Sequence, residues 1–375
     1  MPLYLNDEQA MLRDTAKDFV GENAPVKHMR ALRDEKNPDG FSRELWKSFA
    51  EMGFTGVLIP EDQGGLGLGH VEAGVVLEEI GRNLTPSPFL TTAVAAVEAL
   101  KGTRQGERWF PGIVAGETVA ALAIDESAKH RGTVAMTAER AGNGFRLSGS
   151  KQFVTHGHVA DLLIVAARTS GSPADRDGIT LFAVNKDATG LQASPERLAD
   201  SSIAARLRFD GVEVDADAVI GDLDQGGMVL DRLLRAGRTG ASAELLGVGG
   251  GAMAMTVDYL KERKQFGVTI GSFQALQHRA AHLYAELEVA RAATLKAQQL
   301  LDAGSEAADD AVSVAKAITG TAATLAVQEG VQMHGGIGMT DEYDIGFYMK
   351  RARVLAELFG DAGFHADRLA RSAGY

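Results

Sequence analysis

The stretch from Tyr259 to Gln277 gathers side chains that could receive an anionic group. Lys261, Arg263 and Lys264 crowd a few positions, followed closely by Gln265, Phe266, Phe273 and Gln274. Tyr259 and Arg263 are four apart, so on a helix they share a face. Cations suit the negative end of a helix dipole, which places the last turn of a helix here. Gly267 is the expected terminator of that helix and Ser272 the expected N-cap of the next. On spacing alone, the outcome is a helix–helix corner with Phe266 buried.

Other polar groups offer less. His278 and His282 are four apart and could form half a metal site, but no third ligand has suitable spacing, so no metal is expected. His156 and His158 follow Thr155 and are expected to line a loop or a substrate groove. Arg232, Arg235 and Arg238 make a basic helix stripe whose simplest reading is a solvated face. Gly65-x-Gly67-x-Gly69 is not a dinucleotide fingerprint, because no strand–helix unit surrounds it and its third glycine is misplaced. It reads as a tight structural turn.

These groups need elements to position them, and 375 residues with 45% apolar content can bury a large core in more than one domain. There are 38 basic and 50 acidic side chains, a formal charge of −12, which argues against a nucleic-acid partner. A local basic pocket can still act against that balance. Without cysteine there is no disulfide framework, thiolate zinc site or iron–sulfur cluster. The amino terminus lacks signal-peptide regions, and no run of about 18 apolar residues offers a membrane span. A cytoplasmic protein without a membrane partner is expected.

Residues 1–118 read as helical, with a polar cap at Leu5–Gln9, a second helix from about Ser42 to Gly53, and an apolar segment near 91–100. From 119 to 222 the texture is short strands. Asn143-Gly144 signals a hairpin between Thr137–Arg140 and Phe145–Ser148, and Leu162–Ala167, Ile179–Val184 and Ile203–Phe209 are further runs. Such strands suggest a small barrel or sandwich. Beyond, four long helices are expected at 227–264, 273–302, 306–333 and 345–372, a four-helix bundle pattern.

Four separated motifs agree in order and spacing with one family. They are Pro60-Glu61-x-x-Gly64-Gly65-Leu66-Gly67, Lys151-Gln152-Phe153-Val154-Thr155, Arg263-x-Gln265-Phe266-Gly267 and Gln332-Met333-His334-Gly335-Gly336. Over nearly its whole length the chain resembles the flavin-dependent acyl-CoA dehydrogenases. The resemblance implies an α+β multidomain fold: an N-terminal helical domain at 1–118, a middle β-barrel domain at 119–222 and a C-terminal four-helix bundle at 223–375. It implies FAD as cofactor and α,β-dehydrogenation of an acyl-CoA thioester, fatty or steroid side chain, with a carboxylate taking the α-proton. In the family an Arg-x-x-Phe-Gly motif and a Gln-x-x-Gly-Gly loop reach FAD held mainly by the neighbouring subunit. Arg263 matches the pyrophosphate arginine, whose planar fork suits two phosphate oxygens. Phe266, Gln274, Gln332 and Gly336 match the remaining contacts, with Gln265 and Gly335 in the same motifs. Phe153 and Thr155 fall where the family places an aromatic and a hydroxyl at the flavin ring, whereas Ile124 replaces its ring-binding threonine.

The family base departs from the pattern. Most members carry it in Tyr-Glu-Gly-Thr; aligned through Lys350 to Gly360, this chain reads Leu358-Phe359-Gly360-Asp361, with Phe359 at the glutamate. A minority place the glutamate just before an arginine of the first bundle helix, and here Gly237 precedes Arg238, which matches a position beside the substrate pocket. Neither phenylalanine nor glycine can accept a proton. Substitute candidates are Glu244, two turns or ~11 Å beyond Gly237, then Asp361 and Glu357. The pattern resembles the non-catalytic subunit of actinobacterial α2β2 heterotetrameric members, which completes the FAD site of a catalytic partner homologue. Alternatives are a self-sufficient homotetramer using Glu244 or Asp361, and a flavin-free scaffold or acyl-CoA-binding protein. The family's usual electron acceptor is an electron-transfer flavoprotein.

Overall fold

The computed structural model describes residues 2–130 and 132–375. Asn6 opens α1 (Asp7–Asn23) with a capping box: its side chain accepts from the Gln9 amide, and the Gln9 side chain accepts from the Asn6 amide. Then come α2 (Val26–Asp34), α3 (Arg43–Glu51), capped by Ser42, and α4 (His70–Arg82). The apolar 90–100 segment is buried helix, wound as a π-helix over Leu90–Ala96 before α5 (Val97–Leu100), and α6 (Arg104–Val114) follows. The strands are β1 (Ala120–Ala123), β2 (Thr137–Ala141), β3 (Gly144–Thr155), β4 (Leu162–Arg168), β5 (Ile179–Asn185), β6 (Leu191–Arg197), β7 (Ile203–Val214) and β8 (Val219–Ile220). The last part holds α7 (Gly226–Glu262), β9 (Lys264–Gln265), β10 (Val268–Thr269), α8 (Gln274–Asp302), α9 (Ala308–His334), α10 (Ile345–Glu357) and α11 (Ala362–Ser372). No described helix is long and apolar enough to cross a membrane.

Two compact units result. One comprises the chain up to Ala31, His70–Thr85 and Arg238–Tyr375. Its core includes Leu245, Val248 and Ala252 of α7, Ala323 and Val327 of α9, and Ile345, Tyr348 and Leu355 of α10. A second cluster joins Leu246 and Leu260 to Leu283 and Leu287 of α8 and Ala326 and Met333 of α9. Burying each large aliphatic of these stripes contributes about 1.5–3 kcal/mol. The expected last helix at 345–372 is instead two, α10 and α11, because Phe359 and Gly360 adopt positive φ (60° and 106°) between them.

The other unit comprises Leu32–Gly69 and Pro86–Gly237. Its eight strands run β6-β7-β3-β2-β4-β5-β8, with β1 parallel to β4. The β2–β3 hairpin forms, but one residue early: Ala141 pairs with Gly144, and the loop is Gly142-Asn143. The positive φ falls on Gly142 (56°), which explains the shift. The 59–69 loop is the expected structural turn, closed by amide bonds such as Leu66 N to Gly56 O (2.9 Å) and Gly67 N to Ile59 O (2.8 Å). Arg232 donates to the carbonyls of Ala99 and Lys101, so this member of the arginine stripe serves structure rather than a solvated face.

Candidate functional site

The arm around Arg263 is a hairpin, not a helix corner. Helix α7 stops at Glu262, so Arg263 and Lys264 lie beyond it; Gln265 pairs with Val268 and Lys264 with Thr269. The two loop residues, Phe266 and Gly267, have φ of 54° and 80°, as a tight turn matching the twist of paired strands requires. Phe266 was expected to be buried, yet it is 88% exposed, because the turn lifts its ring away from the core to meet Phe273 edge-on at 6.2 Å. Ser272 does not cap α8 either: its hydroxyl donates to Thr269 O, and Phe273 occupies the N-cap position. Arg263, Gln265 and Gln274 are exposed, and the Arg263 guanidinium has no ion pair or hydrogen bond among the described residues.

A second arm meets this one. Helix α9 ends at His334, and Gly335 takes φ 64° to turn the chain. Gln332, Gly335 and Gly336 are exposed, and a methyl group on Gly336 would meet nothing within 4 Å. Nothing inside this unit therefore demands a glycine at 336. The rings of Tyr259 and His334 stack at 4.4 Å, bringing the two arms together.

The ring-side candidates lie in the other unit, on β3. Phe153 is 45% exposed with φ 53°, at the irregularity where β3 slips register against β7 between Lys151 and Val154, and Thr155 is half-buried. Ile124 is buried. The loop after it satisfies itself: fully buried Lys151 reaches Glu126 at 2.6 Å, whose carboxylate accepts from the amides of Ala135 (2.9 Å) and Met136 (3.0 Å). Asp125 pairs with His130 Nδ1 at 2.7 Å. Burial pulls the Lys151 ammonium below the usual lysine range, with Glu126 opposing. His156 packs edge-on against Phe41, and His158 Nε2 lies 3.0 Å from Pro38 O.

In the first unit, the α10–α11 junction carries Phe359, the position that the resemblance assigns to the family base. Phe359 is 3% exposed. Helix α10 leaves carbonyls unpaired at its end, and buried cations take them: Lys316 of α9 donates to Ala356 O (2.9 Å) and Gly360 O (3.0 Å), while Arg238 of α7 donates from Nε to Phe359 O (3.1 Å). A Cβ on Gly360 would strike the Phe364 ring at 2.4 Å. Burial, then the Arg238 charge, brings the Lys316 ammonium down to about 7. Burial and the same cations push the His365 imidazole down to about 3, so it is neutral.

The carboxylates of this region are already engaged. Glu244 is buried and held by Arg351 through Nε (3.0 Å) and Nη2 (2.5 Å). Asp361 caps α11 by accepting from the Phe364 amide at 2.8 Å. Glu357 pairs with Arg353 at 3.1 Å. His282 lies 3.9 Å from Glu286, and the described residues contain no group of three or more metal-capable side chains. Sequence reasoning missed Lys316, His365 and Tyr343. For Lys316 a signal existed: it is the one charged residue between Asp310 and Glu329 in an otherwise small, apolar helix, a pattern that marks a buried cation.

A helical part, a strand-built part and a second helical part follow one another along the chain, an order shared by one class of flavin-dependent oxidoreductase. The chain matches models of the acyl-CoA dehydrogenase N-terminal domain over residues 6–117, the middle domain over 125–212 and the C-terminal domain over 224–374. It belongs to the acyl-CoA dehydrogenase family, FAD-dependent oxidoreductases acting on CH–CH groups. The acyl-CoA dehydrogenase FadE12 of Mycobacterium tuberculosis is 31% identical, over 93% of this chain and 91% of that protein. The solved Tcur3481–Tcur3483 steroid ACAD variant is 31% identical with a TM-score of 0.88, covering 98% of this chain and 99% of that one. The ChsE4–ChsE5 complex from Mycobacterium tuberculosis is 27% identical with a TM-score of 0.90, covering 100% and 99%.

Proposed function

We propose that this chain, with domains at 1–118, 119–222 and 223–375, is the subunit of a heteromeric acyl-CoA dehydrogenase that completes its partner's FAD site without supplying the base. The observation carrying this reading is a contrast within one unit. The arms are open, with a guanidinium unpaired among the described residues and a glycine whose added methyl would meet nothing within 4 Å, whereas the base position holds buried Phe359 under two cations occupied with backbone carbonyls. Arg263 would hold the pyrophosphate, and Phe266, Gln274, Gln332 and the backbone of Gly335 and Gly336 would complete the contact. When bound, FAD supplies the electron-accepting chemistry of the dehydrogenation. Phe153 and Thr155 fall on the chain's own ring side and take no part in that contact. Arg238 is committed to the α10–α11 junction and serves the substrate pocket only by shaping that loop.

An α2β2 assembly acting on an acyl-CoA with a steroid side chain, passing electrons to an electron-transfer flavoprotein, fits the similarity to a steroid ACAD and to a complex of two chains. The engagement of Glu244 with Arg351 and of Asp361 in helix capping argues against a self-sufficient homotetramer. The test is to purify the chain alone and together with a co-expressed family member that carries the glutamate. Flavin absorbance and acyl-CoA oxidation are expected only in the pair. Strong flavin binding and turnover by the lone chain reject the proposal, and a colourless pair favours a flavin-free scaffold.

A further inference from the structure

We infer that Tyr259, His334 and Tyr343 form a ring stack that holds the two arms in register, making them positioning residues for the FAD contact; the inference rests on the reading above. The three rings meet in a triangle: His334 stacks on Tyr259 at 4.4 Å and 28° and tilts against Tyr343 at 4.8 Å and 51°, and the tyrosines touch edge-on at 5.9 Å and 69°. Each ring belongs to a segment that carries or braces an arm. Tyr259 is one helical turn before Arg263, and its carbonyl accepts from the Arg263 amide at 2.9 Å. His334 immediately precedes Gly335. Tyr343 stands in the turn before α10, which Arg30 of α2 pins by donating to Asp344 (2.5 Å) and to Asp341 O (2.8 Å).

The histidine is an unusual choice for mere packing. Its Nδ1 sits 2.6 Å from Gly330 O, so that nitrogen carries the hydrogen, and Nε2 is a buried acceptor with no hydrogen-bond partner. Burial pulls the His334 imidazole below its ordinary range, with the Gly330 bond opposing. The Gly330 bond fixes the ring plane, and a fixed plane lets one side chain face both tyrosines. The arms themselves are short: the β9–β10 hairpin has two residues per strand and one ring contact of its own, Phe266 on Phe273, and Gly335–Met339 is a short 3₁₀ turn.

In the full chain, His334→Ala is expected to raise amide hydrogen exchange across 264–269 and 335–339 together by about tenfold, with the interior of α9 still protected. His334→Phe, which keeps a ring, is expected to stay near the parent. Tyr343→Ala, at a half-buried position, gives the same paired loosening should His334→Ala fail to fold. In the complex with a glutamate-bearing family member, His334→Ala is expected to weaken FAD retention by about tenfold while gel filtration shows the assembly intact. Unchanged exchange, or exchange that rises in one arm only, overturns the inference. Full FAD retention by His334→Ala alongside loss in Arg263→Ala overturns it and leaves the FAD reading standing; full retention by both variants overturns both.

Discussion

Two phenylalanines in the same unit share a left-handed backbone and nothing else. Phe266 has φ 54° and is 88% exposed; Phe359 has φ 60° and is 3% exposed. Each conformation costs about 1–2 kcal/mol. Around Phe359 the cost is offset internally, by three carbonyls capped from two other helices and by Gly360 packed under Phe364. Around Phe266 little is offset, since one edge-on ring and a four-residue ladder are its support. Strain that the fold over-determines is structural; strain left in the open points to a stabilising contact from outside the chain. On this comparison the junction is a closed core, whereas under the proposal above the arms are half of a site.

The largest test of that division is Glu244→Gln. It replaces the buried carboxylate that faces the Arg351 guanidinium with a neutral amide, and denaturant unfolding is expected to show a loss of up to about 3 kcal/mol with turnover per folded complex unchanged. If Glu244 were the base, turnover per folded complex would vanish as well. Next comes Lys316→Met. A lysine whose pKa falls on folding, here from 10.5 to about 7, binds fewer protons folded than unfolded. Stability therefore rises as pH climbs from about 7 toward 10, and the parent should gain on the order of 3 kcal/mol across that window. The methionine variant should show a flat profile; an equal slope in both would place the titration elsewhere.

Smaller effects belong to the open region. Arg263→Ala should leave the melting curve unchanged, because the residue is exposed and unpaired, yet cost the complex about 2 kcal/mol of FAD binding, measured by flavin titration of the apo complex. Gly336→Ala is smaller still. With nothing within 4 Å of the added methyl, lone-chain stability should shift by less than about 0.5 kcal/mol, and FAD affinity should fall a few-fold. A destabilised lone chain in either case would mean that the arms are ordinary structure.

The sequence displayed the arms because their signals are local: Arg263, Gln265, Phe266 and Gly267 sit within five residues, and Gly335-Gly336 is a turn on its own terms. It misplaced the end of α7, since Lys261, Arg263 and Lys264 fit a helix terminus as well as a hairpin. The break between α10 and α11 was hidden for a similar reason, as Leu358-Phe359 continues the apolar period and the left-handed turn is imposed by Lys316 and Arg238 from distant helices. Arg232 fitted a solvated stripe because charge at helical spacing says nothing about which carbonyls lie opposite it, and Arg238, matched to a position beside the substrate pocket, donates to Phe359 O. The Tyr259–His334–Tyr343 stack joins residues 75 and 9 apart, a separation no local pattern reports.

The most direct measurement replaces the partner's base glutamate with glutamine in the assembled complex and follows acyl-CoA oxidation with FAD content held constant. The account predicts that turnover disappears completely, because no carboxylate of this chain can stand in. Turnover persisting at a substantial fraction of the parent rate would show that this chain carries a working base of its own.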